Sequence, residues 1–141
     1  MDEDIDYRWR FHVTDEEVNA LTRSYGGAAQ VGWWDRIRPH SLGWVTAHLA
    51  DGTVIGFVNV AWDGSDHAFL LDTQTRQDHQ RRGIATGVVR LAAENAKQAG
   101  CEWLHVDFED TDGMAAFYFD ACGFRPTAAG LIHLSDTSVQ T

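Results

Sequence analysis

The stretch QRRGIA at residues 80–85 lies between an apolar strand pattern and a long helical pattern. A glycine-containing turn that opens a helix leaves backbone N–H groups without partners, and these groups converge on one spot. The helix dipole adds partial positive charge at the same spot, where a diphosphate is a common ligand. Two adjacent arginines add formal charge, so we predict that this segment binds a pyrophosphate group.

Three positions of this stretch narrow the choice of ligand. Gln80, Gly83 and Ala85 match the pattern Gln/Arg-x-x-Gly-x-Gly/Ala. The two common nucleotide-binding patterns, Gly-x-x-x-x-Gly-Lys-Ser/Thr and Gly-x-Gly-x-x-Gly, do not fit. The stretch instead resembles the acetyl-CoA loop of the GNAT superfamily of N-acetyltransferases. The alternative is an ordinary arginine-rich helix start with one glycine.

Composition limits the class of protein. The chain has 141 residues, of which 44% are hydrophobic, and this predicts a single globular domain over 1–141. Its formal charge of −10 argues against nucleic acid, whose phosphates require a basic face, and against an anionic membrane surface. A negative field favours an amine-bearing partner, although good solubility explains the charge equally well.

Cysteine usage and the first residues predict a cytoplasmic protein. Cys101 and Cys122 form no Cys-x-x-Cys pair and have no metal-ligand spacing, as is typical of a reducing compartment. The acidic N-terminus, with no apolar stretch, argues against a signal peptide or a membrane anchor.

Hydrophobic periodicity predicts an α+β arrangement. The order of elements also resembles the GNAT fold over a core of about 7–134. That fold implies a mixed central sheet of about six to seven strands, flanked by about four helices and separating between the fourth and fifth strands. The polar tail, 135–141, is predicted to fray. Strands are predicted over 7–13, 42–49, 53–61, 68–73, 103–108 and 131–134, and helices from the capping box at 14–17 to about 25, over 83–98 and over 113–122, with 28–41 unassigned.

The resemblance implies which residues contact acetyl-CoA. The fourth strand would pair its backbone with the pantetheine amides, and the loop amides would hold the diphosphate. Whether the side chains of Arg81 and Arg82 contact phosphate or only solvent is left open. The implied cofactor-binding residues are Leu71, Asp72, Thr73, Gln74, Thr75, Gln80, Arg81, Arg82, Gly83, Ile84, Ala85 and Thr86.

A second region, residues 115–124, resembles the Phe-Tyr-x-x-x-Gly-Phe helix end of the same family, whose tyrosine protonates the departing CoA thiolate in many members. Counted back from Gly123, the tyrosine position falls on Phe119, and Tyr118 lies one residue earlier. One residue corresponds to a rotation of about 100° around a regular helix. A bulge or looser turn near Cys122 would therefore be needed to bring the Tyr118 side chain to the position of the family's tyrosine. We predict Tyr118 as the thiolate acid; the alternative is a packing aromatic.

Amine transfer also needs a base, because only a neutral amine is a nucleophile. Asp72 lies in an apolar run, where burial disfavours the charged form, and is our candidate. A structural role for Asp72 and a base at Asp107 or Glu109 remain alternatives. His79 is predicted to be a solvent-facing cap residue. No metal is expected, since His105 and Asp107 lack a third ligand.

Aromatic residues before the second predicted strand are candidates for the acceptor side. Tyr25, Trp33 and Trp34, with Asp35 nearby, would suit a cationic amine through ring faces and charge. A hydrophobic lid or a homodimer contact is an equal alternative for this segment.

These patterns lead to three hypotheses. The first is an acetyl-CoA-dependent N-acetyltransferase, in which a primary amine attacks the thioester directly within a ternary complex. The second is a non-catalytic acyl-CoA-binding module of the same fold, which the displaced tyrosine favours. The third is an interaction protein whose loop binds another anion.

Overall fold

A mixed five-stranded sheet organises the part of the chain that a computed structural model describes, residues 4–135. The strands lie side by side in chain order; the first four are antiparallel, and the fifth runs parallel to the fourth. The strands are β1 (Asp6–Trp9), β2 (Ser41–His48), β3 (Val54–Trp62), β4 (His67–Thr75) and β5 (Trp103–Val106), and the helices are α1 (Asp15–Ser24), α2 (Trp33–Ile37), α3 (Ile84–Gln98) and a π helix (Ala116–Ala121).

The α+β class and the mixed sheet are confirmed, but the predicted number of six to seven strands is wrong. The first strand ends at Trp9 because Arg10 has a left-handed backbone, with φ at 57°. Residues 131–134, predicted as the last strand, form none, and Leu131 and Ile132 are at least 80% exposed. An apolar run becomes a strand only where a sheet edge accepts its hydrogen bonds. Residues 136–141 of the predicted tail lie outside the described part.

The capping box of α1 is confirmed. The hydroxyl of Thr14 accepts from the Glu17 amide at 3.0 Å, and the Glu17 carboxylate accepts from the Thr14 amide at 2.9 Å. The helix buries Val18 and Leu21 in a cluster with Trp34 and Phe57. One face of the sheet is thereby closed by α1 and α2.

The other face is covered by α3, which buries its small and branched residues against the sheet. Two glycines permit this close approach. A Cβ on Gly56 would lie 2.8 Å from Cγ2 of Ile84, and a Cβ on Gly87 would overlap the ring of Tyr7. The contacts hold the first turn of α3 in one position relative to the sheet.

Pairing between β4 and β5 stops well before β4 ends. It runs from His67–Trp103 to Leu70–Val106, whereas β4 stays paired with β3 as far as Thr75. Residues 71–75 therefore have no neighbouring strand on the β5 side within residues 4–135. This agrees with the expected separation of the fourth and fifth strands.

Candidate functional site

A β-bulge interrupts β4 at the point where it leaves β5. Phe57 pairs with Gln74 and Asn59 with Leu71, so two residues of β4 oppose one residue of β3. Asp72, in the bulge, has φ at 60°. Bulges re-aim side chains and are common beside active sites. Here the bulge directs neighbouring residues of β4 toward two different parts of the molecule.

The first turn of α3 has the geometry of an anion site. Gly83 is the N-cap, with φ at 83°, and no side chain caps the helix. Gly87 is the first residue whose amide bonds back to Gly83, so the amides of Ile84, Ala85 and Thr86 have no helical acceptor. No acidic residue lies in this turn. Three convergent N–H donors at the positive end of a 15-residue helix suit a diphosphate.

The loop before α3 leaves room and positive charge for such a ligand. Arg81 also has a left-handed backbone, with φ at 65°, and a Cβ on Gly83 would meet no atom within 4 Å. Arg81 and Arg82 are exposed, and neither forms an ion pair with any residue of the described part. Both arginines are therefore available to an anion.

The start of the loop is held by side-chain contacts. Asp78 accepts from Nε of Arg76 at 2.7 Å and lies 2.8 Å from Nδ1 of His79. The Arg76 bond, and then the His79 bond, lower the pKa of Asp78 to about 2. The predicted exposure of His79 is wrong, because the ring is buried. The Gln77 amide also donates to Oγ of Ser24 at 3.0 Å, which ties the loop to α1.

Tyr118 lies in the π helix and faces β4. The amide of Cys122 bonds to the carbonyl of Phe117, five residues back, at 3.0 Å. A π turn accommodates one extra residue and is frequent at functional sites. The hydroxyl of Tyr118 donates to Oγ1 of Thr73 at 3.3 Å. The π turn thus accommodates the one-residue displacement of Tyr118 from the expected tyrosine position, and the Tyr118 hydroxyl contacts β4.

The surroundings of Tyr118 keep its proton in place at neutral pH. The side chain is buried, stacked on Phe108 at 4.7 Å and packed edge-on against Phe117. Burial raises the pKa of Tyr118 above its ordinary value of 10.0, although the bond to Thr73 opposes this shift. The residue is consequently a hydrogen-bond donor beside the unpaired edge of β4.

A pocket of about 280 Å³ opens on the opposite side of the same strand segment, between α1, residues 28–30 and β4. Asp15 helps to shape it, because its carboxylate accepts from the amides of Gly32 and Trp34 and ties α2 to α1. The lining residues are Asn19, Thr22, Tyr25, Ala28, Ala29, Gln30, Trp33, Asp72 and Gln74.

The structure separates the three aromatic residues predicted for the acceptor side. Tyr25 and Trp33 line the pocket, whereas Trp34 is completely buried between Trp44 and Phe57. The substrate contact predicted for Trp34 is therefore wrong, since its ring is part of the core. Adjacent residues of a helix point in different directions, and only the packing reveals which one faces inward.

Among the predicted bases, the structure brings only Asp72 to the pocket. Its carboxyl is reached by solvent, but the surrounding protein displaces part of its water, and this desolvation raises its pKa above the ordinary 3.8. Asp107 and Glu109 follow β5, which ends at Val106, and both are exposed. A carboxylate with a raised pKa accepts a proton more readily at neutral pH.

Gln74 contributes to the pocket a side chain that the sequence did not identify. It was predicted to contribute only backbone, yet its side chain is buried and bonded to α1 through Thr22 and to Tyr25. The sequence carried no signal for this role, because Gln74 lies just beyond the predicted strand at 68–73 and its contacts with Thr22 and Tyr25 depend on the tertiary structure.

Neither a metal-binding group nor a membrane-spanning helix occurs among the described residues. No group of three or more His, Cys, Asp or Glu side chains placed to hold a metal ion occurs within residues 4–135. Over the same residues, none of the helices has the length and apolar character needed to cross a bilayer. Cys101 and Cys122 are free thiols.

Comparison with known proteins adds independent information. A sequence model of the acetyltransferase (GNAT) family matches residues 6–124, and no curated protein matches the chain. A GNAT family acetyltransferase from Streptococcus pneumoniae TIGR4 superposes with a TM-score of 0.79 at 24% identity, over 93% of this chain and 98% of that one. Glucosamine-6-phosphate N-acetyltransferase from Arabidopsis thaliana gives 0.75 at 12% identity, over 95% and 100%. A GNAT family N-acetyltransferase from Escherichia coli, solved in complex with CoA, gives 0.62 at 16%, over 72% and 61%.

Proposed function

Because the chain belongs to the GNAT acetyltransferase family, we propose that it transfers the acetyl group of acetyl-CoA to a primary amine. One observation carries the proposal. Three consecutive residues of β4 join the parts that this reaction needs: Asp72 and Gln74 line the pocket, and Thr73 between them accepts from Tyr118. The unpaired edge of β4 lies at the same three residues.

The cofactor would be held at two places. The free amides of Ile84, Ala85 and Thr86, with Arg81 and Arg82, suit the diphosphate. The β4 backbone at 71–75 suits the amides of the pantetheine arm, which would add to the strand edge. A CoA-bound relative of the same fold supports this choice of ligand.

The proton balance assigns a role to each titratable group. Bound acetyl-CoA supplies an activated acetyl group; overall, a C–N bond forms, a C–S bond breaks, the amine loses a proton and the sulfur gains one. Asp72 accepts the amine proton, directly or through water, because it lines the pocket and desolvation raises its pKa above the ordinary 3.8. Tyr118, a phenol whose pKa burial raises above the ordinary 10.0, supplies a proton toward the sulfur.

Replacing the tyrosine tests its role as an acid. We expect Tyr118→Phe to lower kcat by about 10²-fold, the lower end of the usual contribution of a general acid. The Kd for acetyl-CoA should be almost unchanged, because the ring packing survives and only the hydroxyl is lost. Steady-state kinetics measures kcat, and calorimetric titration measures the Kd for acetyl-CoA. Full turnover by the variant would assign Tyr118 to packing alone; Thr73→Val, which removes the acceptor but keeps the phenol, is the matched control.

The first experiment is calorimetric titration of the protein with acetyl-CoA, desulfo-CoA and ATP, followed by a panel of amines scored by release of free CoA. We expect both CoA compounds to bind with micromolar affinity, ATP not to bind, and free CoA to be released only when a suitable amine is present. CoA binding without release for any amine would favour the non-catalytic module. Loss of CoA binding altogether would favour an interaction protein. The predicted homodimer and cytoplasmic location stay predictions.

A further inference from the structure

We infer that Gln74 selects the acceptor: the pocket takes a small amine that carries a hydrogen-bond-accepting oxygen a few bonds from its nitrogen, such as an amino ether or amino alcohol. The inference rests on the proposed function for the reaction, but it concerns binding in the pocket. It starts from a polar side chain that is only 9% exposed and yet lines a pocket.

The carbonyl oxygen of Gln74 is already occupied by the protein. Oε1 accepts from Oγ1 of Thr22 at 2.7 Å and from Oη of Tyr25 at 2.9 Å. A carbonyl oxygen has two lone pairs, so two hydroxyl donors fill it. Two hydrogen bonds from different positions also fix the plane of the amide.

The same two bonds determine which end of the amide faces the pocket. If the amide were reversed, Nε2 would take the place of the acceptor: the Tyr25 hydroxyl would lose its bond to Gln74, and the Thr22 hydroxyl would keep only its longer bond, of 3.4 Å, to the carbonyl of Val18. The observed orientation satisfies both hydroxyls and leaves Nε2 without a protein partner. Trp34 Nε1 is the sole fully buried side-chain polar atom that lacks a partner in residues 4–135, so Nε2 of Gln74 remains accessible from the pocket.

A donor held at the wall of a pocket requires an acceptor on the ligand, since an unmet buried donor weakens binding. Asp72 is the only charged residue in the pocket lining, so the other end of the ligand is an amine. The two residues are two positions apart on one strand, so their Cα atoms are at most about 7 Å apart, the span of a fully extended chain, and the bulge at Asp72 keeps the chain from being fully extended there. The ligand nitrogen and oxygen are therefore separated by only a few bonds.

The remaining wall sets the size and the apolar side of the ligand. Trp33, Ala28 and Ala29 contribute apolar surface, and the volume is about 280 Å³. This space accepts a small amine or the end of one long side chain. A compact amine with an apolar flank against the Trp33 ring and an oxygen toward Gln74 fits all of these features.

Two amines with the same number of non-hydrogen atoms test the inference. We would measure kcat/KM for 2-methoxyethylamine and for n-butylamine with the wild-type protein, Gln74→Met and Gln74→Glu. Gln74→Met keeps the length of the side chain and removes the donor. We expect the ether-to-alkyl ratio to fall about tenfold in Gln74→Met, and to fall further in Gln74→Glu, which presents an acceptor. The change in ratio is the measure, because differences in amine basicity are the same for every variant.

The outcomes separate the inference from the proposed function. An unchanged ratio in a folded Gln74→Met, or a rise in Gln74→Glu, would overturn the role of Gln74 while leaving acetyl transfer intact. If acetyl-CoA binds and no amine is acetylated, the proposed function fails. The inference is then tested by binding: the ratio of the affinities of the two amines for the CoA-loaded protein should change between wild type and the Gln74 variants in the same direction. If neither amine binds, the inference is overturned. Tyr25→Phe, which releases one restraint on the amide, is expected to give an intermediate ratio.

Discussion

Gly83→Asp is expected to weaken acetyl-CoA binding by about 100-fold or more, whereas Gly83→Asn weakens it by about tenfold or less. Both side chains tolerate the left-handed backbone that Gly83 adopts, with φ at 83°. A Cβ at this position would meet no atom within 4 Å, and the backbone strain of a non-glycine residue at this φ is common to both variants. The two variants are nearly the same size and differ by one negative charge placed beside the diphosphate, where repulsion is strong at short range.

Calorimetric titration with acetyl-CoA measures the difference, and circular dichroism checks that both variants fold. The aspartate variant should also be as stable as the asparagine variant or more so, because a carboxylate at the N-terminus of a helix interacts favourably with its dipole. Equal affinity in the two variants would show that the diphosphate does not lie at the first turn of α3. The comparison thus isolates charge from backbone strain.

Asp72→Asn is expected to lower kcat/KM for the amine by about 10²-fold to 10⁴-fold, the usual contribution of a positioned base. Asparagine suits the left-handed backbone at Asp72 almost as well as aspartate does, so the bulge should persist. Asp107→Asn is the matched control, because Asp107 is exposed beyond the end of β5. A larger loss of kcat/KM in Asp107→Asn than in Asp72→Asn would indicate that the base is Asp107, after β5.

Wild type and Asp72→Asn should differ in how their activity depends on pH. For wild type, activity should fall on the acid side as Asp72 is protonated, at a pH above the ordinary pKa of 3.8 because desolvation raises its pKa. Asp72→Asn should lose that acid limb and retain a low, flatter activity. If the fall in activity on the acid side persists in Asp72→Asn, a group other than Asp72 causes it.

Stability provides a second readout that is independent of turnover. A carboxyl whose pKa is raised in the folded state favours folding fully only below its unfolded pKa, and that contribution is lost as pH rises through the folded pKa. Asp72→Asn should therefore melt at a higher temperature than wild type at pH 7, with the gap narrowing toward pH 4. Identical melting temperatures at pH 7 would mean that Asp72 is not desolvated.

Several long-range features were beyond the reach of the sequence. The predicted strand at 131–134 has the right composition but finds no sheet partner. Trp33 and Trp34 are neighbours with equal hydrophobicity, and only the position of α2 against α1 decides that one lines the pocket and the other fills the core. His79 is buried by the folding of its loop against α1, which local pattern does not reveal.

The sequence alone predicted the capping box of α1, the glycine turn that opens α3 and the order of the elements from β2 to β5. These features depend on residues that are close along the chain, as in the left-handed Gly83 or the pairing of Thr14 with Glu17. Only the tertiary structure decided which side chains meet across β4, since a bulge at Asp72 and a π turn at Tyr118 each shift the register by one residue. A one-residue shift moves later side chains to the other face of a strand and rotates them by about 100° around a helix, and long-range packing selects it.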